Sequence, residues 1–244
     1  GASTDEGAIA TALDGELADL VWTDPPYGVA VNDVASVEEA RRLKRRTDMK
    51  VVANDALNEE DLADLLLTVF EATLESCKPG ATLYVAAPAG DRFDVFAGVL
   101  GPRGLGVWRS TLIWLKDQFV LSRKDYHYKH EPIFYGWKPD GAHHEVEDRS
   151  SCSVFEVKRP KSSPDHPTMK PVELIEPMIK NSSNRDALVL DPFGGSGSTL
   201  IAAARTGRRA ALIELEPGYC DVIRRRWTAW ALEAGVDPGE GRLG

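Results

Sequence analysis

The sequence predicts an α/β domain in which a doubly wound, mostly parallel sheet is covered by helices on both faces. Three short apolar runs support this prediction, at 17–23, 81–87 and 187–190. Each is apolar at successive positions, as expected for central strands that are buried on both faces. Segments with helical patterning separate them. The 244 residues, 43% of them hydrophobic, suffice for one well-buried domain, and we expect a single domain over 1–244.

The middle of the chain alternates between helices and strands. Asn58 is a suitable N-cap for an amphipathic helix that runs to about Ser76, because acidic residues fill its first turn. A short helix is expected over 91–100. The β-branched and aromatic residues of 108–115 and 132–137 predict two further strands, which a hairpin would join.

The stretch 138–167 is rich in glycine, serine, proline and charge, and it contains one short apolar piece, Val154-Phe155. We interpret it as an excursion from the fold. Beyond it the alternation of helix and strand resumes. The remaining predicted elements are a helix over 171–181, the strand over 187–190, a helix over 198–206, a strand over 209–213 and a closing helix over 217–233.

The composition excludes several classes of protein. The longest apolar runs are interrupted by charge and are far too short to span a bilayer. Residues 1–19 contain acidic but no basic side chains, unlike a signal or transit peptide, and we expect a cytoplasmic protein. The three cysteines lie far apart without a Cys-x-x-Cys pair, which argues against a disulfide framework and a zinc cluster. We therefore expect no metal.

Charge is unevenly distributed along the chain. The net charge of -9 speaks against nucleic acid, because phosphate contacts need lysine and arginine. Basic residues nevertheless concentrate in three runs, at 41–46, 123–138 and 158–161. Each run alone is most simply a solvated face, whereas the three together suit a local cationic groove on an acidic body. The candidate nucleic-acid contacts are Arg41, Arg42, Arg45, Arg46, Arg123, Lys124, Tyr126, His127 and Lys129.

The tetrapeptide Asp24-Pro25-Pro26-Tyr27 lies at the predicted carboxyl end of the first strand, where open α/β sheets bind ligands. Consecutive prolines fix φ and donate no N–H, so the carbonyls of Asp24 and Pro25 stay available as acceptors. A planar amine could donate one hydrogen to the Asp24 carboxylate and one to the Pro25 carbonyl, while Tyr27 stacks on its ring. The alternative is a turn that merely ends the strand.

A second motif, 191–199, follows the strand at 187–190. Its glycines let the backbone approach a ligand closely, and the helix that begins at Ser198 presents its positive end to anionic groups. Glu214 lies about 20 residues further on, where a carboxylate can hold ribose hydroxyls, so the unit predicts an adenosine site. A P-loop would need a lysine before Ser198, and a dinucleotide fingerprint would need glycine in place of Leu200. A purely structural glycine turn stays the alternative.

Together the two motifs resemble the β group of S-adenosylmethionine-dependent DNA amino-methyltransferases, a circularly permuted family in which the catalytic motif, here Asp24-Pro25-Pro26-Tyr27, precedes the cofactor motif. The resemblance covers nearly the whole chain and implies a seven-stranded, mostly parallel, Rossmann-like methyltransferase sheet with one antiparallel strand near an edge. His166-Pro167-Thr168-x-Lys170-Pro171 matches a segment with which that family contacts the cofactor. The implied cofactor contacts are Asp191, Phe193, Gly194, Gly195, Ser196, Gly197, Thr199, Glu214, His166, Thr168, Lys170 and Pro171.

The resemblance also concerns the variable parts of the chain. The stretch 117–165 lies where the family keeps its target-recognition region. The segment 29–52 carries clustered arginines and is too long for an ordinary connection, so we expect a mobile loop that closes over the target. Family members usually have a strand ending in Gly-Asp before the catalytic motif. None is visible here, which predicts a truncated first strand, a weakened cofactor site and a missing N-terminal domain, and leaves a homodimer open.

The implied activity is transfer of a methyl group from S-adenosylmethionine to the exocyclic N6 amine of a flipped adenine in DNA. That nitrogen is a poor nucleophile, so Asp24 and Pro25 would hold its hydrogens during in-line transfer. The target must leave the duplex, and Tyr27 would stack on it. Asp at the first motif position is associated chiefly with adenine. The alternatives are an N4-cytosine methyltransferase, an RNA or protein-amide methyltransferase, and a catalytically silent DNA-binding remnant.

Overall fold

The computed structural model describes residues 2–4, 6–28, 57–119, 125–146, 150–160 and 169–240. Within these residues no helix is long and apolar enough to cross a membrane. The strands are β1 (Ala18–Thr23), β2 (Cys77–Ala86), β3 (Trp108–Leu115), β4 (His130–Trp137), β5 (Val154–Glu156), β6 (Leu188–Asp191) and β7 (Arg209–Leu212). The helices are α1 (Glu6–Leu13), α2 (Glu59–Glu75), α3 (Phe93–Leu100), α4 (Val172–Asn181), α5 (Ser198–Arg205) and α6 (Pro217–Ala234), followed by a short 3₁₀ turn at Pro238–Glu240.

The described strands form one seven-stranded sheet in the order β5-β3-β4-β2-β1-β6-β7. Strand β1 is central and pairs in parallel with β2 and β6, with Leu20 opposite Thr82 and Val189. Among these strands only β4 is antiparallel, to both β2 and β3. The amino end of β4 therefore lies beside the carboxyl ends of β1, β3 and β6. We call this edge the carboxyl end of the sheet. Thr23, Asp191 and Glu131 all lie there.

Alternate side chains of β1 point to opposite faces of the sheet. Leu20 and Trp22 pack against α4, α5 and α6 on one face, where the Trp22 indole N–H donates to the Met178 sulfur at 3.3 Å. Val21 packs on the other face with α1 and α2. Helices α2 and α3 cover the remainder of that second face around Phe96. The expected doubly wound, mostly parallel seven-stranded sheet with helices on both faces is confirmed.

Several local predictions hold in detail. Helix α2 begins after Asn58, whose side-chain oxygen accepts from the Asp61 backbone N–H at 2.9 Å. This bond satisfies one of the N–H groups that a helix start leaves without an intrahelical partner. Strands β3 and β4 pair as the expected antiparallel hairpin partners, with Leu112 opposite Ile133.

Strand β5 corrects the interpretation of Val154-Phe155 as part of an irregular excursion. It pairs in parallel with β3 and completes the sheet at its edge, where Ile113 N–H donates to Ser153 O at 2.7 Å and Val157 N–H donates to Leu115 O at 3.1 Å. The strand is three residues long and half exposed, so its hydrophobic pattern is weak. Its existence depends on the free backbone groups of β3, which only the folded sheet presents.

Helix α1 was not predicted. It buries Ile9 and Leu13 against the face of the sheet that holds Val21. With eight residues and three alanines, it has too short an apolar stripe to be distinguished from a loop by periodicity.

Candidate active site

Asp24 directly follows β1 at the carboxyl end of the sheet, as predicted. Both of its carboxylate oxygens have partners. Oδ1 accepts from the Tyr27 hydroxyl at 2.9 Å, and Oδ2 lies 2.6 Å from the Lys170 ammonium. The Tyr27 ring packs edge-on against Phe96, with ring centroids 6.1 Å apart. Pro25 is buried, and Asp24 and Tyr27 are held by residues from distant parts of the chain.

A group of four charges, Asp24, Lys116, Glu131 and Lys170, surrounds this point and is called the lysine-carboxylate cluster below. The Lys170 ammonium lies 3.3 Å from Glu131 Oε2 as well as on Asp24. Lys116 forms an ion pair with Glu131 Oε1. Both lysines are buried, with 5% and 7% of their side chains exposed, so their charges depend on the two carboxylates. Two ammonium groups balance two carboxylates.

The surroundings favour the ionised forms of Glu131 and Lys170. Burial disfavours the charged form of Glu131, but Lys170 and Lys116 outweigh it and lower the pKa of Glu131. Burial also disfavours the Lys170 ammonium, yet Asp24 and Glu131 raise its pKa. The pKa of Lys116 is lowered by burial. Burial, together with the charges of Asp24 and Glu131, raises the pKa of Tyr27 well above its ordinary value, so its hydroxyl remains a donor.

The glycine turn between β6 and α5 has the left-handed backbone that its sequence predicts. Gly195 and Gly197 have φ values of 51° and 78°, and Gly197 is the residue from which α5 starts. A Cβ added at Gly197 would lie 3.1 Å from the Ile223 side chain, and one at Gly194 would lie 3.2 Å from the Ile213 carbonyl. Gly197 is therefore favoured by both conformation and space, Gly195 by conformation and Gly194 by space. Phe193 and Gly195 remain partly exposed on the turn.

Asp191 supports this turn from beneath. It is 2% exposed, and its carboxylate accepts from the hydroxyls of Thr23 at 2.7 Å and Thr199 at 2.6 Å and from the Phe193 N–H at 3.1 Å. Burial raises the pKa of Asp191 from its ordinary value of 3.8 to about 6, against the opposing effect of these hydrogen bonds. In this conformation Asp191 binds the protein itself.

Glu214 follows β7 and faces the same turn. Its Oε2 accepts from the Gly195 N–H at 2.7 Å and its Oε1 accepts from the Glu216 N–H at 2.8 Å. On the other side, Arg226 of α6 donates to the Ser196 carbonyl at 2.5 Å and hydroxyl at 2.9 Å. Glu214, which was predicted to hold ribose hydroxyls, thus contacts the glycine turn, and Arg226 braces the turn from α6.

Lys170 joins the two motifs. Its side chain lies on Asp24, whereas its backbone carbonyl accepts from the Ser198 hydroxyl at 2.8 Å. Pro171, next in the chain, is the N-cap residue of α4. Lys170 was expected among the cofactor contacts, and the structure places its ammonium on Asp24.

The connection between β3 and β4 reaches the carboxyl end of the sheet. Tyr126 is 87% exposed there, and His127 stacks on Phe119 with centroids 5.2 Å apart. Tyr126 is therefore not part of the hydrophobic core. Lys129 continues the hairpin through its carbonyl, which accepts from the Lys116 N–H at 2.9 Å. Three of the predicted nucleic-acid contacts thus lie on the same side of the molecule as Asp24.

Several predicted site residues lie outside the described part of the chain. They are His166 and Thr168 of the cofactor set, Arg123 and Lys124 of the hairpin, and the whole loop 29–52 with Arg41, Arg42, Arg45 and Arg46.

Sequence reasoning missed Lys116, Glu131 and Arg226. Lys116 directly follows the first strand of the predicted hairpin, and Glu131 directly precedes the second. Both could therefore have been placed at one end of the sheet. That the connected end of the hairpin coincides with the carboxyl end of β1 required the antiparallel orientation of β4 to β2. Arg226 is one of three consecutive arginines in α6, and nothing in the sequence distinguishes it from its exposed neighbours.

The sheet is doubly wound, with an acceptor-rich tetrapeptide after β1 and a glycine turn after the neighbouring β6. This arrangement is typical of enzymes that bind a cofactor containing adenosine. Residues 18–225 match the family model described as DNA methylase, the N6_N4_Mtase family. The chain belongs to this family.

Curated relatives agree with this membership. YubD of Escherichia coli (strain K12), a methylase by its name, is 47% identical over 64 residues, and the match spans 26% of this chain and 28% of that protein. The DNA adenine methyltransferase YhdJ of the same organism is 24% identical over 247 residues, covering 88% of this chain and 77% of YhdJ.

Solved structures show the same fold. The complex of M1.HpyAVI with SAM superposes with a TM-score of 0.62 at 21% identity, covering 91% of this chain and 96% of that one. The cytosine-N4-specific PvuII DNA methyltransferase superposes with a TM-score of 0.61 at 18% identity, covering 85% and 79%.

Proposed function

We propose that this chain transfers a methyl group from S-adenosylmethionine to the exocyclic N6 amine of an adenine flipped out of DNA. The observation that carries this proposal is the junction of the two motifs. Thr23, the residue before Asp24, donates to Asp191, which carries the glycine turn. An acceptor for an amine and a site for an adenosine-bearing cofactor are therefore separated by one hydrogen bond at the same end of the sheet.

The residues present fit S-adenosylmethionine. The glycine turn has a left-handed backbone and a tight fit at Gly197, its N–H groups open α5, and Glu214 brings a carboxylate to it. Phe193, Gly195 and Glu214 would hold the adenosine part, and the methionine part would extend towards Asp24. When bound, S-adenosylmethionine supplies the electrophilic methyl group.

The chain's own contribution is to position the amine. Asp24 accepts one amine hydrogen at its carboxylate, and the Pro25 carbonyl accepts the other, so that the nitrogen lone pair points at the methyl group. The acceptors are in place before charge develops on the nitrogen, which lowers the barrier without reorganisation. Tyr27 offers its ring to the base and its hydroxyl to Asp24.

The choice of adenine rests on Asp24. A carboxylate accepts hydrogen bonds roughly twice as strong as those of a neutral acceptor, which suits an amine that becomes cationic during transfer. YhdJ, by its name, acts on adenine, and the PvuII enzyme shares the fold while acting on cytosine N4. Cytosine N4 is thus the second candidate, because both substrates are exocyclic amines on a ring.

The proposal is tested by incubating duplex DNA with the protein and S-adenosylmethionine, digesting the DNA to nucleosides and identifying the methylated nucleoside by mass spectrometry. Detection of N6-methyladenine supports the proposal. Detection of N4-methylcytosine would refute adenine as the target base but would still support methyl transfer to DNA. Calorimetric titration with S-adenosylmethionine runs in parallel. Cofactor binding without transfer to DNA points to RNA or protein substrates, or to a catalytically silent remnant, and assays with those substrates separate them.

DNA is the proposed partner, held by the carboxyl end of the sheet. Tyr126, His127 and Lys129 of the β3–β4 connection lie there, within the proposed target-recognition region 117–165. The arginine-rich loop 29–52 is proposed to close over the flipped base.

A further inference from the structure

Lys170 occupies the place that the target base needs. Its ammonium lies 2.6 Å from Asp24 Oδ2, and it also lies over the Tyr27 ring, 5.3 Å from the centroid. The carboxylate that should accept the amine and the ring that should stack on the base therefore both face the same lysine. The Tyr27 hydroxyl engages the other Asp24 oxygen.

A neutral amine does not displace a buried ammonium from a carboxylate unless the ammonium gains another anion. Charge-assisted hydrogen bonds are the stronger ones, and a buried charge without a partner is strongly unfavourable. With 7% of its side chain exposed, Lys170 has little access to water. It needs a second carboxylate within reach.

Glu131 is that carboxylate. Its Oε2 lies 3.3 Å from the Lys170 ammonium and 3.4 Å from the Tyr27 hydroxyl. Lys116 holds Oε1, so Oε2 stays directed at these two donors. The Lys170 ammonium can thus pass from Asp24 Oδ2 to Glu131 Oε2, while the Tyr27 hydroxyl stays on Asp24 Oδ1. Lys170 stays protonated and Glu131 stays ionised, because the pKa of Lys170 is raised and that of Glu131 is lowered.

We infer that Lys170 is a resident cation that occupies Asp24 between turnovers and moves to Glu131 when the target amine arrives. Glu131 is then a positioning residue, since it acts on the reaction only through Lys170. The cluster keeps zero net charge in both arrangements: two ammonium groups face two carboxylates before and after the exchange. This inference rests on the proposed function, and it adds a reason for the pairing of Lys116 with Glu131.

The test compares Glu131→Gln, Lys170→Met and the double variant with the parent chain. In Glu131→Gln the lysine has no second anion, so it stays on Asp24, and we expect kcat/KM for DNA to fall at least tenfold. Removing the lysine as well removes the competitor and leaves Asp24 and Lys116 balanced. We therefore expect the double variant to have at least tenfold higher kcat/KM than Glu131→Gln. Cofactor affinity should change less than twofold.

A purely structural role for Glu131, or a role for Lys170 as a substrate contact, predicts a double variant no more active than Glu131→Gln. Either outcome would overturn the exchange. Glu131→Asp keeps the charge and should retain most activity. Glu16→Gln is the matched control, because Glu16 forms an exposed ion pair with Arg209 away from the cluster. Thermal unfolding identifies any variant that fails to fold.

Affinity for duplex DNA in the presence of S-adenosylhomocysteine provides a readout without turnover. The same order is expected: weaker binding of a target-containing duplex by Glu131→Gln, and recovery in the double variant. An inactive parent chain would refute the proposed function, whereas the order of DNA affinities would still decide the exchange. Equal affinities in all the variants would refute the exchange alone.

Discussion

The Thr23 hydroxyl donates to Asp191 Oδ1 at 2.7 Å, and this hydrogen bond joins the end of β1 to the end of β6. The proposed amine acceptor, Asp24, directly follows Thr23. The glycine turn begins at Phe193, two residues after Asp191. Neighbouring parallel strands that end in short polar side chains can hold two sites at a fixed separation, which methyl transfer requires because the reacting atoms must be aligned.

The first prediction concerns cofactor binding. Gly197→Val should abolish binding of S-adenosylmethionine, because its φ of 78° is unfavourable for a β-branched residue and its Cβ would press on Ile223. Isothermal titration calorimetry measures the affinity. Gly15→Val is the matched control: Gly15 has a φ of 81° but no atom within 4 Å of an added Cβ, so the backbone strain is similar and the turn is untouched. Parental affinity in a folded Gly197→Val protein would refute the cofactor assignment.

The second prediction concerns Asp24. Asp24→Ala should keep cofactor affinity and lose about 10²–10³-fold in kcat, as expected when a transition-state acceptor is removed. Single-turnover transfer of labelled methyl groups to DNA measures this. Retained turnover would remove Asp24 from the mechanism.

The third prediction separates the ring of Tyr27 from its hydroxyl. Tyr27→Phe loses the hydrogen bond to Asp24 but keeps the stacking face, and we expect a loss of roughly tenfold in kcat/KM. Tyr27→Ala also loses the ring, whose stacking is worth about 1–3 kcal/mol per base, so its loss should be larger by a further factor of ten or more. Equal losses would mean that the ring does not contact the target.

The fourth prediction concerns the pH dependence of stability. The folded-state pKa of Asp191 is about 6, above its ordinary value of 3.8, so between these values the native state binds more protons than the unfolded state. The contribution of Asp191 to the free energy of unfolding should therefore fall by about 2 kcal/mol as the pH rises from about 4 to about 6, out of about 3 kcal/mol over the whole titration range. Urea unfolding of the parent chain and of Asp191→Asn at several pH values measures the difference. A difference that does not vary with pH would contradict the shifted pKa.

The fifth prediction concerns DNA contact. Tyr126 is 87% exposed, so Tyr126→Ala should leave the free energy of unfolding unchanged while weakening DNA binding about tenfold, the effect expected for one base-stacking aromatic side chain. Leu232→Ala on α6, at 67% exposure, is the control for loss of an exposed apolar side chain. Fluorescence anisotropy of a labelled duplex gives the affinities, and unchanged DNA affinity for Tyr126→Ala would remove it from the interface.

Much of the fold could be predicted from sequence because its signals are local. The apolar runs of β1, β2 and β6 are buried on both faces, and Asn58 caps α2 with its own side chain. The two motifs were recognisable for the same reason: proline and glycine determine backbone conformation at their own positions, whatever surrounds them. Strand β5 and helix α1 escaped prediction because each is short, and their stability comes from neighbours distant in sequence.

By itself the sequence determined the two motifs, their order and the alternation of strands and helices that places each at a strand end. Only the tertiary structure decided that Lys170 and Glu131 meet at Asp24, from positions 146 and 107 residues away along the chain. Ion pairs produce no periodic pattern in the sequence. The sequence also does not distinguish a buried lysine from a solvated one. Their energies depend on burial and on distance, and both are properties of the folded sheet.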